Sequence, residues 1–144
     1  MEKTRILISG LGGIAQIAHL PILSKMDNVE IAGVADIDRS KTRFIAEKYN
    51  IKNAYASIDE MLDTVDADCL VVTSPTSLHQ EQAIKGLKKG LNVLVEKPLA
   101  RNYEEASSIV DAAKKAKKLL MVGMNNRFRP EVMMQESFVS AGEI

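Results

Sequence analysis

Ile6-Leu7-Ile8-Ser9-Gly10-Leu11-Gly12-Gly13-Ile14-Ala15 is the most informative run in the chain. A short apolar stretch rich in β-branched residues stops at glycines, and a helix-like pattern follows at once, so the segment reads as strand, tight turn and helix. Each small residue has a physical task in a dinucleotide site. Gly10 makes the turn, Gly12 lets the backbone approach a pyrophosphate, and Ala15 lets helix and strand pack closely. The unpaired N–H groups at the start of the helix then face the phosphates. A lone Gly-x-Gly-x-x-Ala also describes an ordinary glycine-rich turn. Asp36 separates the two readings. It ends a second apolar run, Val29-Glu30-Ile31-Ala32-Gly33-Val34-Ala35-Asp36, at the distance from the glycines where a carboxylate meets the adenosine ribose hydroxyls.

With 144 residues the chain is read as one domain, large enough to bury roughly two-thirds of its unfolded surface. Lys plus Arg and Asp plus Glu both number 19, so no electrostatic feature suggests a nucleic-acid or anionic-membrane partner. The apolar runs fall short of the roughly 18 residues a membrane helix requires, and the N-terminal one is a strand rather than a signal peptide. A cytoplasmic address is the default expectation. The single cysteine, Cys69, has no internal disulfide partner and reads as a small core residue.

Beyond the glycine turn, a helix with one apolar face extends to about Met26, with a kink or break expected near Leu20 because Pro21 lies inside it. The run Val29 to Asp36 is apolar on both faces in its second half and belongs mid-sheet. Asp38 suits the N-cap of a helix that ends at Asn50. A short strand is expected around Ala54-Tyr55-Ala56. Ser57-Ile58-Asp59-Glu60 has the form of a capping box, in which the Ser hydroxyl meets the N–H three residues on and the Glu reaches back. Cys69-Leu70-Val71-Val72-Thr73 and Asn92-Val93-Leu94-Val95 read as buried strands, separated by a helix from Ser77 to Lys89 that Gly90 stops.

The clearest helix runs from Asn102 to about Lys118, with Glu104 and Glu105 at its positive end and four lysines at its negative end, so its charges are structural. Leu119 to Gly123 is a sixth strand. Pro130 opens a last helix, which Gly142 closes. Strands alternating with helices imply an α/β fold with a three-layer, doubly wound parallel sheet. Ligands then bind at the carboxyl ends of the strands, where the strand order reverses. The candidates are the residues after each strand: Gly10 to Ala15, Asp36, Thr73-Ser74-Pro75, Glu96-Lys97-Pro98 and Asn125-Asn126-Arg127.

A proline disfavours helical geometry at the residue before it, so Lys97 is held extended over the cleft, where it can donate to a substrate oxygen or shuttle a proton. For a lone lysine in a loop, a plain surface position is the commoner outcome. The Lys97-Pro98 peptide is a candidate for the cis form. His79 lies in the first turn of a helix near the expected cleft, whereas His19 in the first helix is as well explained by packing. No spacing suits a metal site, a nucleophile elbow or a Walker lysine.

Taken together, Gly10 to Ala15, His19, Val34-Ala35-Asp36-Ile37-Asp38, Thr73-Ser74-Pro75 with His79, Glu96-Lys97-Pro98-Leu99 and Asn126-Arg127-Phe128 resemble the glucose-fructose oxidoreductase/inositol dehydrogenase/MocA family over nearly the whole chain. Glu-Lys-Pro after the fifth strand is specific to that family and reverses the surface reading of Lys97. The resemblance implies the Rossmann NAD(P)-binding domain of an oxidoreductase acting on a sugar, inositol or related polyol.

By carry-over, Gly10, Leu11, Gly12, Gly13, Ile14 and Ala15 form the pyrophosphate turn and Asp36 holds the adenosine ribose. Thr73, Ser74, Pro75 and His79 line the cofactor cleft. Glu96 and Lys97 approach the nicotinamide ribose, Lys97 as the catalytic residue, and Arg127 lies at the mouth. Asp36 favours NAD because a carboxylate repels a 2′-phosphate, but Arg39 nearby can relieve that repulsion and admit NADP.

Members of the family look like two-domain proteins, and residues from about 125 to 144 resemble the lead into a C-terminal substrate domain. The expectation is therefore a dinucleotide-binding domain, residues 1–144, that binds cofactor with little turnover alone and belongs to a homo-oligomer when full length. The main alternative is a non-catalytic dinucleotide-sensing regulator of the same family, against which the Glu96-Lys97-Pro98 motif argues. An unrelated Rossmann oxidoreductase, such as a homoserine dehydrogenase, would lack that motif. A stand-alone binding module is the remaining reading.

Overall fold

The computed structural model describes residues 3–144. Its elements alternate in chain order: β1 (Thr4–Ser9), a π-helical turn (Ala15–His19) running into α1 (Leu20–Leu23), β2 (Val29–Ala35), α2 (Arg39–Tyr49), β3 (Ala54–Tyr55), α3 (Ile58–Thr64), β4 (Cys69–Val72), α4 (His79–Lys88), β5 (Asn92–Val95), α5 (Tyr103–Ala116), β6 (Leu120–Val122) and α6 (Pro130–Ala141). All strand pairs are parallel, in the spatial order β3-β2-β1-β4-β5-β6. The order reverses between β1 and β4, which leaves a crevice above the carboxyl ends of those two strands. The second strand is interior, as its two-sided apolar run implies, though only the two-residue β3 lies outside it.

Side-chain alternation along β1 divides the core into two layers. Ile6 and Ile8 join Leu11, Ala15, Leu20 and Ile45 on the face covered by α1 and α2, while Leu7 joins Met61, Leu87, Val93 and Ile109 on the face covered by α3, α4 and α5. Leu7, Ile8, Leu20 and Ile109 are fully buried, each contributing about 1.5–3 kcal/mol of transfer free energy. Gly86 of α4 exists for packing: a Cβ there would lie 2.6 Å from Leu70 Cδ2 on β4. Cys69 is partly buried on β4, where burial pushes its thiol pKa up, away from reactivity.

The helix ends follow local rules with instructive exceptions. Asp38 and Asn102 accept the N–H groups of Lys41 and Glu105, three residues on, and Asn50 closes α2 in the left-handed region at φ 53°. Lys117 adopts the same φ at the end of α5 without being Gly or Asn. Ser57 departs from the capping-box expectation, since its hydroxyl accepts from Asp59 N–H, two residues on. The break expected at Pro21 takes the form of the π turn. Leu20 N–H donates to Ala15 O, five residues back, which widens the helix just before the residue that has no N–H to give. Lys97-Pro98 is cis.

Candidate dinucleotide site

The first turn after β1 is dictated by backbone geometry. Gly10 has φ 89°, and a Cβ built on it would lie 2.4 Å from Ser74 N, so the turn after β1 touches the loop after β4 with no room for a side chain. Backbone and side-chain hydrogen bonds hold the two together: Thr73 N–H donates to Ser9 O at 2.8 Å, and its hydroxyl donates to Gly10 O. Gly12 is different. A Cβ there would meet nothing within 4 Å. Nothing among the described residues requires that glycine, whereas a ligand lying against its backbone would.

Asp36 stands at the end of β2 with its carboxylate turned back to this turn. Oδ2 accepts Leu11 N–H at 2.7 Å, and Oδ1 accepts Asp38 N–H at 2.9 Å. Lys41, on the first turn of α2, brings its ammonium within 3.4 Å of Oδ1 and 3.5 Å of Oδ2. The Asp38 carboxylate faces its own helix, where the Lys41 N–H holds its pKa below the ordinary value. Above these groups lies a cleft of about 880 Å³, bordered by Gly10, Gly12, Asp36, Thr73, Ser74 and Pro75, all expected from sequence. Its other borders include Ser9, Lys41, Ser57, Leu78 and Gln82, which sequence reasoning missed. Ser9 and Ser74 both donate their hydroxyls to Gln82 Oε1, tying β1, the β4 loop and α4 together beneath the cleft.

The remaining expected residues sit around this cleft without bordering it. Leu11 and Ala15 are buried in the core, where Ala15 allows the close helix–strand contact expected of it, and Ile14 is partly exposed. Gly13, like Gly12, has open space where a Cβ would be. His79 is only 1% exposed, and its ring nitrogens each lie 2.9 Å from a carbonyl, those of Ser74 and Pro98. Both carbonyls can only accept, so a neutral ring satisfies one of them. His79 therefore braces the loop after β4 against the loop after β5. Arg39, expected beside Asp36, borders instead a neighbouring groove with Arg43 and Glu47, and Lys41 takes the place beside the carboxylate.

After β5, Glu96 is buried and Lys97 is exposed. Glu96 Oε2 accepts Lys97 N–H at 3.1 Å, and Oε1 lies 2.9 Å from His19 Nε2, which donates in the tautomer that carries its proton there. A Cβ on Gly123 would lie 3.0 Å from that same carboxylate, so the loop after β6 passes close against Glu96. His19, one of the residues that carry the family resemblance, thus meets Glu96 from the first helix, a contact that a packing role for its ring did not anticipate. Arg127 is exposed, with its guanidinium 5.9 Å from the Phe128 ring centre. Among the described residues no group of three or more His, Cys, Asp or Glu is placed to hold a metal ion, and no helix is long and apolar enough to cross a membrane.

Strand order, glycine turn and terminal acid of β2 define a Rossmann dinucleotide-binding domain. The sequence profile of the oxidoreductase family with an NAD-binding Rossmann fold, Gfo/Idh/MocA, matches residues 4–124, and the chain belongs to that family. Glucose-6-phosphate 3-dehydrogenase of Bacillus subtilis is 34% identical over 140 residues, which are 97% of this chain and 39% of the relative. The 4-carboxy-2-hydroxymuconate-6-semialdehyde dehydrogenase of Sphingobium is 31% identical over 97% of this chain and 44% of its own length.

Among solved structures, the WlbA dehydrogenase of Chromobacterium violaceum, in complex with NADH and UDP-GlcNAcA, superposes with a TM-score of 0.94 at 33% identity, covering 98% of this chain and 41% of that one. The chain thus spans about two-fifths of the length of the relatives it matches.

Proposed function

We propose that this chain is the cofactor-binding domain of an NAD(P)-dependent dehydrogenase that moves a hydride between nicotinamide and an alcohol carbon of a sugar, inositol or related polyol. The observation that carries this reading is the gathering of four strand ends on one edge of the sheet: the glycine turn, Asp36, Thr73-Ser74-Pro75 and Glu96-Lys97. A bound nicotinamide would supply or accept the hydride. The turn from Gly10 to Ala15 would face the pyrophosphate with the backbone N–H groups of Gly12 and Gly13, since those of Gly10 and Leu11 are taken by Ala35 O and Asp36, and Asp36 would take the adenosine ribose hydroxyls. Thr73, Ser74 and Pro75, braced by His79, would form the wall of the cleft.

Lys97 is the catalytic residue in this reading. Its ammonium would donate to the substrate oxygen, orienting the carbon for hydride transfer and stabilising charge that develops on that oxygen. Glu96 fixes the start of that loop through Lys97 N–H, so the lysine side chain departs from a held backbone. Arg127 would stand at the mouth.

The substrate class follows the two relatives whose names mention a sugar. The Sphingobium relative is named as a semialdehyde dehydrogenase, so what the family members share is hydride chemistry, while substrate choice belongs to parts outside this domain. A second domain would supply most of the substrate wall and the contacts of a homo-oligomer.

Titration with NADH, followed by the fluorescence of the reduced nicotinamide, tests the cofactor site, and the absence of tryptophan leaves that signal clean. Asp36→Ala is expected to weaken NADH binding at least about tenfold, since each hydrogen bond to a charged group is worth about 1.5–3 kcal/mol. Undiminished binding in that variant would remove Asp36 from the site. On a panel of sugars and inositols the chain alone is expected to show no measurable turnover. Steady turnover by it would overturn the part assigned to a second domain.

A further inference from the structure

We propose that Lys41 selects between the two nicotinamide dinucleotides: by pairing with Asp36 it opens the adenosine-ribose end of the cleft to a 2′-phosphate as well as to a free 2′-hydroxyl. The inference rests on the dinucleotide reading of the cleft and deepens it. A bare carboxylate at the end of β2 excludes NADPH by repulsion. Here the carboxylate is not bare. Leu11 N–H donates to Oδ2 and Asp38 N–H to Oδ1, and the Lys41 ammonium lies 3.4 and 3.5 Å from the two oxygens.

Lys41 is the one Lys or Arg bordering the cleft among the described residues, and the acids bordering it are Asp36 and Asp38. Asp38 points its carboxylate at its own helix start rather than at the cleft. Arg39, the other nearby cation, belongs to the neighbouring groove. The choice between a hydroxyl and a phosphate therefore falls to one flexible cation and one fixed anion.

The side chains differ in freedom as that division requires. Asp36 is 10% exposed and held by two backbone donors, whereas Lys41 is 33% exposed on a four-carbon stem. When NADH enters, the ribose hydroxyls must share Asp36 with Lys41, so the lysine competes with this cofactor. When NADPH enters, Lys41 stays beside the carboxylate and reaches the phosphate from there, adding charge-assisted donors where the other charged residues bordering the cleft are Asp36 and Asp38. The start of α2, beside the same position, adds the positive end of a helix of 11 residues.

The test is a pair of fluorescence titrations, with NADH and with NADPH, on the unaltered chain and on Lys41→Ala and Lys41→Arg, with thermal melts to confirm that each variant is folded. The unaltered chain is expected to bind both cofactors, with affinities within about tenfold of each other. Lys41→Ala should weaken NADPH at least about tenfold and leave NADH within about threefold or slightly tighter, while Lys41→Arg should keep NADPH binding. NADPH affinity should also fall more steeply with salt than NADH affinity.

Binding of NADH alone by the unaltered chain would overturn the proposal. So would equal effects of Lys41→Ala on both cofactors, or none on either, while leaving the dinucleotide site intact. Failure of the unaltered chain to bind either cofactor would overturn both.

Discussion

The segment from Thr4 to Val122 and the segment from Met124 to Ile144 are built on opposite terms. The first folds around two buried clusters, one on each face of the sheet, and its helices α2 to α5 all contribute buried residues. In the second, α6 runs for 12 residues without one buried side chain. Met124, Phe128, Met133, Met134 and Val139 are each more than half exposed there. Both segments carry good local signals, including Pro130 in the first turn of α6 and Gly142 at φ 72° beyond its end. The contrast shows what those signals are worth. Caps set where a helix starts and stops, but burial of an apolar stripe is what stabilises it in water.

Substitutions that strike the two segments differently would sharpen this contrast. The largest effect is expected from Gly10→Ala, because the new methyl would meet backbone atoms of Ser74 and Thr73 at 2.4 to 2.7 Å and neither side can give. A loss of about 3 kcal/mol or more in urea unfolding is expected, with no NADH binding left in what remains folded. A loss under about 1 kcal/mol would mean that the turn relaxes freely.

Next comes the pair Leu7→Ala and Phe138→Ala. Leu7 is fully buried and should cost about 2–5 kcal/mol, whereas Phe138, 40% exposed on α6, should cost less than about 0.5 kcal/mol. Similar losses at both positions would break the comparison, since α6 would then belong to the same cooperative unit.

The smallest effect concerns pH. Hydrogen bonds from the Arg101 guanidinium, then from Arg101 N–H, hold the Glu105 carboxyl below its ordinary value of 4.5. A depressed pKa in the folded state adds stability that is fully present above that ordinary value and is lost as pH falls through the folded one. Denaturant melts of Glu105→Gln should therefore approach those of the unaltered chain as pH drops below about 4.5, and fall short of them near neutrality. A constant difference across that range would assign the effect of the substitution to packing rather than to ionisation.

Much of the domain was legible in the sequence because the relevant physics is local. The alternation of strands and helices, the Asp38 and Asn102 caps, the left-handed Asn50 and the glycine turn each depend on a few neighbouring residues. Where sequence reading failed, a choice between near-equal local options was settled elsewhere. Ser57 caps the N–H two residues on rather than three, and Lys117 ends α5 in a conformation that Gly or Asn would adopt with less strain. The cation beside Asp36 was expected to be Arg39 and is Lys41. Both lie on the first turn of α2, and only the direction of that helix from β2 distinguishes them.

Local pattern was enough for the class of fold, for the turn where a dinucleotide would lie and for the two strand ends, Asp36 and Glu96-Lys97, proposed to mark the site. Which side chains meet was settled by the packing of distant elements. His19 meets Glu96 across 77 residues, Ser9 meets Gln82 across 73, and Asp36 reaches back 25 residues to Leu11 N–H. Local periodicity reports which face of an element is apolar. Polar contacts between elements depend on the order and crossing of six strands, which no short window of sequence contains.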